Sequence, residues 1–175
     1  PCPAWLSEAG RCLDSARSRS VVAGDVRMES KGASPGFYEL YDVSMGIPQA
    51  QYVSRGYAVT ANLFVPRTVF QSTGLFDSKR FSGGDAEFCR RARSRGFELS
   101  FCKGATVRHP ARQRWTDLAT KARRMKGAQL TQGSVGDRCY WLCRTLLPPV
   151  HRWARALRNG KLSLRQRLAV CLVQT

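Results

Sequence analysis

Residues 57–110 read YAVTANLFVPRTVFQSTGLFDSKRFSGGDAEFCRRARSRGFELSFCKGATVRHP, and the fold is decided here. Tyr57 to Val65 is apolar and β-branched, which predicts a strand. Pro66 ends it, because its ring steers the preceding residue away from helix. Arg67 to Thr73 reads as a short helix closed by Gly74. Gly83-Gly84 makes a turn and Asp85 opens the next helix, where a carboxylate suits both the cap and the positive end of the helix dipole. Phe88 and Ala92 share one face of that helix with Cys89 beside them, while Arg90, Arg91, Arg93 and Arg95 take the rest. Gly96 supplies the stop. Phe97 to Cys102 and Thr106 to Arg108 read as two short strands around Lys103-Gly104. Strands alternating with helices predict an α/β fold.

The same reading extends to both sides. Ala4, Trp5, Leu6, Ala9, Cys12, Leu13 and Ala16 recur at helical spacing, which predicts a helix over 4–18. Ser20 to Val26 reads as a short, mostly buried strand. Residues 27–54 carry Gly32, Pro35, Gly36, Gly46 and Pro48 among scattered aromatics, and read as a long loop or irregular helix. Downstream, Trp115 to Lys126 is a basic helix and Gly127 to Gly136 a loop. Cys139 to Leu157 is amphipathic and interrupted at Pro148-Pro149, and Ser163 caps a last helix. The expected division is an α/β part over 1–126 and a basic amphipathic helical extension over 127–175.

Of the 175 residues, 43% are hydrophobic and 23% charged, which excludes a disordered chain. No apolar run of about 18 residues is present, so the sequence predicts no complete transmembrane helix. The formal charge is +17 and uneven: residues 1–107 hold 14 Lys/Arg against 10 Asp/Glu, net +4, and residues 108–175 hold 15 against 2, net +13. A basic tail on a nearly balanced body implies a polyanionic partner, either nucleic acid or an anionic membrane surface. Trp141, Leu142, Leu146, Leu147 and Trp153 interleave with Arg152, Arg155 and Arg158. Such a mixture suits a membrane interface, where Trp anchors and Arg reaches phosphate. A non-enzymatic, basic nucleic-acid-binding module is the rival reading, although no nucleic-acid motif is present.

The seven cysteines include no C-x-x-C pair and no Cys/His cluster, so no zinc pattern is present. Cys139 and Cys143 lie four apart and share a face if helical. Buried or free thiols in a reducing compartment are expected. The chain begins Pro1-Cys2-Pro3 and stops inside the apolar run Leu168 to Val173, which suggests a piece of something longer.

Several segments taken together resemble the second half of the catalytic domain of family 2 glycosyltransferases. They are Ala61-Asn62-Leu63, Pro66-Arg67, Gly74-Leu75-Phe76-Asp77, Ser82-Gly83-Gly84-Asp85-Ala86-Glu87-Phe88, Gly96-Phe97 and Ala105-Thr106-Val107-Arg108-His109-Pro110, in family order and spacing. Pro3-Ala4-Trp5-Leu6 and Val21 to Val26 resemble the segment after that family's metal-binding motif. The resemblance covers about residues 1–126. It implies a partial GT-A fold, the end of a mixed sheet flanked by helices, on the acceptor side of the domain. It further implies a nucleotide-sugar donor, a glycan or lipid-linked acceptor, and cell-envelope polysaccharide or glycolipid synthesis. The protein would sit on the cytoplasmic side of a membrane, peripheral or anchored by a segment beyond residue 175.

Inverting glycosyl transfer needs a base for the acceptor hydroxyl and charge stabilisation for the departing nucleoside diphosphate. Asp85 suits the first task, since a carboxylate of ordinary pKa, about 3.9, is ionised at neutral pH; the resemblance makes it the catalytic base, and a helix cap is its bland alternative. Gly84 stands where the family more commonly has Glu. Gly83 and Gly84 let a sugar approach the backbone closely, and the resemblance places Asn62 and Glu87 with them on the acceptor side. The Asn62 amide could orient a sugar hydroxyl, tie down the Asp85 loop, or make a strand-end hydrogen bond. Arg90 and Arg91 are candidates for the donor diphosphate; pairing with a local acid and solvation are the alternatives. Tyr38, Tyr41, Tyr52 and Tyr57 could stack on sugars or pack internally. Asp85-Ala86-Glu87 is not an Asp-x-Asp metal motif, because residues two apart on a helix diverge. The true motif is expected just upstream of Pro1. The divalent ion, Mn²⁺ or Mg²⁺, would then be held mostly by residues outside this chain, with His109 a candidate ligand or diphosphate contact. Without that half, this chain alone is expected to be inactive.

Overall fold

A computed structural model describes residues 1–15, 19–131, 133–160 and 162–173. The elements run α1 (Trp5–Ser15), β1 (Ser20–Glu29), α2 (Phe37–Met45), α3 (Gln49–Ser54), a 3-10 turn (Thr60–Asn62), β2 (Leu63–Phe64), α4 (Arg67–Thr73), α5 (Gly84–Ser94), β3 (Glu98–Pro110), α6 (Trp115–Thr131), α7 (Val135–Leu146), α8 (Val150–Leu157) and α9 (Leu164–Val173). The fold is α/β: a three-stranded mixed sheet flanked by helices, followed by C-terminal helices, consistent with a partial GT-A-like fold. β1 lies in the centre of the order β2-β1-β3. It pairs antiparallel with β2, Val22 opposite Phe64 and Ala23 opposite Leu63. It runs parallel to β3, since Glu98 N–H bonds Arg19 C=O at one end and Ala111 N–H bonds Glu29 C=O at the other.

The chain divides into two compact units, Pro1–Arg27 with Ile47–His109, and Met28–Gly46 with Pro110–Thr175. The segment 127–175, expected as an extension, falls within the second, together with 110–126 and 28–46. In the first unit, alternation along β1 explains the layers. Val22 faces α1, packing with Ala9, Cys102 and Ala105 under Trp5, Cys12 and Leu13. Val21 and Ala23 face the other way, Val21 against Val69, Phe88 and Ala92, and Ala23 against Ala58 and Cys89. Burying a side chain such as Phe88 contributes about 1.5–3 kcal/mol. In the second unit Leu40, Ala156 and Val170 form a small core with Tyr41, Leu162 and Cys171. Asp42, fully buried on α2, accepts from the Arg112 N–H and guanidinium, both at 3.0 Å, and from Lys121 Nζ at 3.1 Å.

Several expectations need correction. The strand over 57–65 shrinks to Leu63–Phe64. The Gln49 side chain claims the backbone instead, donating to Val59 and Asn62 C=O and accepting from Val59 N–H. The stretch over 27–54, read as a long loop or irregular helix, holds the end of β1 and two helices, α2 and α3, whose ends are marked by Gly36, Gly46 and Pro48. The two strands around Lys103-Gly104 are one, and α6 runs on to Thr131, into the segment read as a loop. Cys12 and Cys102 are not free thiols; they form a disulfide, Cα to Cα 6.2 Å, fastening α1 to β3. Residues 16–18, read as the end of the first helix, lie outside the described residues. Ser163 does cap α9, its N–H bonding Gln166 Oε1 at 2.8 Å while its hydroxyl accepts from Gln166 N–H at 3.3 Å.

Candidate active site

The Gly83-Gly84-Asp85 stretch lies in the first unit, where α5 begins. Gly83 is the N-cap, with φ +76°, a left-handed conformation that favours glycine. Helix α5 starts at Gly84, so Asp85 stands in the first turn rather than at the cap. Its Oδ1 accepts from Ala86 N–H at 2.9 Å and its Oδ2 from Thr60 N–H at 3.4 Å. Both partners are backbone donors, and the carboxylate is half-buried at the positive end of α5. Its charge reaches Cys89: burial above all pushes that thiol up, and Asp85 adds to the effect. Around the glycines the space is open. A Cβ at Gly83 would meet nothing within 4 Å, and one at Gly84 only Asp77 O at 4.0 Å.

The Thr60 donor is held by a buried network. Asn62 is 3% exposed. Its amide donates to Asp25 C=O at 2.8 Å and to Ala105 C=O at 2.7 Å, and its Oδ1 accepts from the Trp5 indole N–H at 3.0 Å. Both amide hydrogens are therefore spent inside the fold. The three side-chain bonds of Asn62 run to β1, β3 and α1. Gly24 makes this possible, because a Cβ there would collide with the Asn62 amide and the Ala105 carbonyl. Sequence reasoning passed over Gly24, Gln49 and Thr60. A glycine in the interior of a β-branched strand was the available signal of close approach.

Glu87 and Arg91 occupy each other. The guanidinium grips both carboxylate oxygens, at 2.8 and 3.0 Å, bonds the Thr73 and Leu75 carbonyls, and lies 5.4 Å from the Phe88 ring centroid. The bond to Arg91 is the main reason that Glu87 is held below the usual carboxylate range, and the Glu87 bond raises Arg91 in turn. This clasp fastens the C-terminus of α4 to α5. Arg90 is exposed and bonds Ala86 C=O at 3.0 Å. Phe76 on the intervening loop packs on Phe88 at 4.5 Å, while Leu75 and Phe81 stay exposed. Tyr52 stacks on Tyr57 at 5.0 Å in the first unit, and Tyr38 and Tyr41 belong to the second. His109 is half-buried near the end of β3. Among the described residues no group of three or more His, Cys, Asp or Glu is placed to hold a metal ion.

The chain is similar to glycosyltransferase AglE of Haloferax volcanii, with 32% identity over 113 residues, 64% of this chain and 36% of that protein. It thus spans about a third of that relative's length. No family model matches the chain, and no solved structure matches it.

Proposed function

We propose that this chain is the acceptor-side part of a family 2, GT-A inverting glycosyltransferase, and that Asp85 is its general base. The observation that carries this reading is the Asp85 carboxylate, oriented by two backbone N–H groups beside a Gly-Gly turn with open space above it. In the proposed step Asp85 takes the proton of an acceptor hydroxyl. The hydroxyl oxygen bonds the anomeric carbon, and the bond to the nucleoside diphosphate breaks, its electron pair leaving with the phosphate. Gly83 and Gly84 let the acceptor approach. Asn62, Gln49 and the Glu87–Arg91 clasp hold Asp85 in place, and the exposed Arg90 would leave Ala86 C=O to turn toward the donor. We place the divalent ion and most of the donor site on residues outside this chain, with His109 as a neighbour. The acceptor is a lipid-linked or polysaccharide hydroxyl, and the basic residues of 108–175 face an anionic membrane surface.

The test is Asp85→Asn in the full-length protein. Transfer should fall by about 10²–10⁴-fold, while donor binding, followed by calorimetry, stays within a factor of a few. Turnover at the unsubstituted rate would show that Asp85 serves the helix alone.

A further inference from the structure

Asp25 is a carboxylate of β1 that the proposed step does not use. Successive residues of β1 face opposite ways. Val22 and Gly24 look toward α1, Val22 by packing with Ala9 and Gly24 by the Asn62 amide that occupies its Cβ position. Val21 and Ala23 look toward α5, Val21 against Ala92 and Ala23 against Cys89. Asp25 therefore projects on the α5 face.

Two independent measures bring it to Asp85. The first is the packing of α5. Val21 meets Ala92 while Ala23 meets Cys89, so the helix runs antiparallel to β1. From the Ala23–Cys89 contact, Asp25 lies two strand residues on, about 6.6 Å, and Asp85 lies four helix residues back, about 6 Å. Both steps point toward the carboxyl end of β1. The second measure is the register. Ala23 opposite Leu63 sets Asp25 opposite Ala61, and the Asn62 amide, donating to Asp25 C=O at 2.8 Å, carries that alignment past the end of β2. Thr60, next to Ala61, supplies the N–H that orients Asp85 Oδ2. The two carboxyl side chains share one stretch of surface, toward the carboxyl ends of the parallel strands β1 and β3, where open α/β sheets bind their ligands.

The backbone of Asp25 is committed to the fold, and its side chain is 27% exposed. The carboxylate meets Arg27 Nε at 3.3 Å, from an arginine that is 66% exposed. An exposed pair of this kind contributes little, so a ligand can replace it. A carboxylate offers acceptors and no donor. Beside a group that takes the proton of one hydroxyl, it suits a second hydroxyl of the same molecule.

We propose that Asp25 accepts a hydrogen bond from the acceptor, through the hydroxyl next to the one that Asp85 deprotonates. The acceptor is then a sugar residue with two neighbouring free hydroxyls, not a lone alcohol or a phosphate, which a second carboxylate would repel. Asp25 takes no part in the proton transfer; it fixes which hydroxyl faces Asp85. The inference rests on the reading of Asp85 as the base and names the acceptor class.

The experiment uses the full-length protein, with the methyl glycosides of glucose, galactose and mannose as probes and binding titrated by saturation-transfer NMR. At least one glycoside should bind. Asp25→Ala should weaken it about tenfold or more, as for the loss of a hydrogen bond to a charged group, and Asp25→Glu should restore part of the loss. An unchanged urea midpoint of Asp25→Ala would show that the loss is not one of folding. Monodeoxy versions of the bound glycoside give the sharper reading. Removing the hydroxyl that Asp25 holds should cost the unsubstituted protein about tenfold, and the Asp25→Ala variant less than about twofold, because the partner is already gone. Equal losses in both proteins for every deoxy position, or no glycoside bound at all, would overturn the proposal. Asp85→Asn without transfer, beside Asp25→Ala with unaltered glycoside binding, would overturn the role of Asp25 and leave the base standing. Asp85→Asn with normal turnover, beside weakened binding by Asp25→Ala, would keep Asp25 as a sugar ligand and overturn the base.

Discussion

The Trp5 indole donates to Asn62 Oδ1 at 3.0 Å across 57 positions of sequence, joining α1 to the turn that backs Asp85. Asn62 serves three partners, so Asn62→Ala strands a half-buried N–H, a half-buried carbonyl and a buried carbonyl. The expected loss is about 2–4 kcal/mol of unfolding free energy, measured by denaturant titration, and Trp5→Phe should lose about 1 kcal/mol. A loss below about 0.5 kcal/mol for Asn62→Ala would show that water replaces the amide without penalty.

Gly24 should be as sensitive for the opposite reason. Gly24→Ala drives a methyl into the Asn62 amide and the Ala105 carbonyl, at a cost of about 1–3 kcal/mol. In the double variant with Asn62→Ala the combined cost should fall clearly short of the sum, because the first change removes part of what the second strikes. Additive costs would break this link.

Gly83 separates space from conformation. Gly83→Ala forces φ +76° on a residue with a Cβ but meets no neighbour, so stability should drop by only about 1 kcal/mol. If the acceptor passes over this turn, its KM should rise about tenfold with donor KM unchanged. An unaltered acceptor KM would place the acceptor elsewhere.

Asp42 predicts an acid-labile second unit. Burial alone would raise its carboxyl, but the Arg112 N–H, Lys121 and the Arg112 charge outweigh it and hold the group below the usual carboxylate range. A depressed carboxyl stabilises the fold fully above its unfolded pKa of about 3.9, and that stability drains away as pH falls through the folded value. Asp42→Asn should cost about 2–3 kcal/mol at pH 7, below the range for a fully buried pair because Arg112 and Lys121 retain some exposure. It should also flatten the decline in urea midpoint below about pH 4. An acid decline as steep as in the unsubstituted protein would assign the lability to other carboxylates.

The Cys12–Cys102 disulfide spans 90 positions. Chain entropy alone gives such a loop roughly 4–5 kcal/mol. Reduction, or Cys12→Ser with Cys102→Ser, should lower the denaturant midpoint accordingly. Intact mass under non-reducing conditions should be 2 Da below the all-thiol value, by the hydrogens lost in forming one bridge; an all-thiol mass would refute the bridge.

The sequence was most legible where a local signal ended an element. Gly74 stops α4 at Thr73, and Ser163 with Gln166 opens α9. It misled where a distant side chain took over the backbone, as Gln49 does to Val59 and Asn62, leaving two residues of the expected strand. Gly104 did not break β3, because the missing side chain there makes room for the Glu8 carboxylate. Within the site, Asp85 and its glycines were readable from the turn. Asn62 and Arg91 take partners from segments that only the tertiary fold brings close.

The bond between Cys12 and Cys102 also changes the covalent topology of the molecule. It closes a ring that contains Asn62, Gly83, Gly84, Asp85 and the whole of α5, and leaves His109 outside. A protease that cuts a loop within this ring opens it without releasing a piece. A nick at the exposed residues Leu75 or Phe81 therefore gives one band on a non-reducing gel and two after reduction. The halves that flank the proposed base remain each other's covalent neighbours, so a nicked protein can re-form the turn as a unimolecular event, at a rate independent of protein concentration.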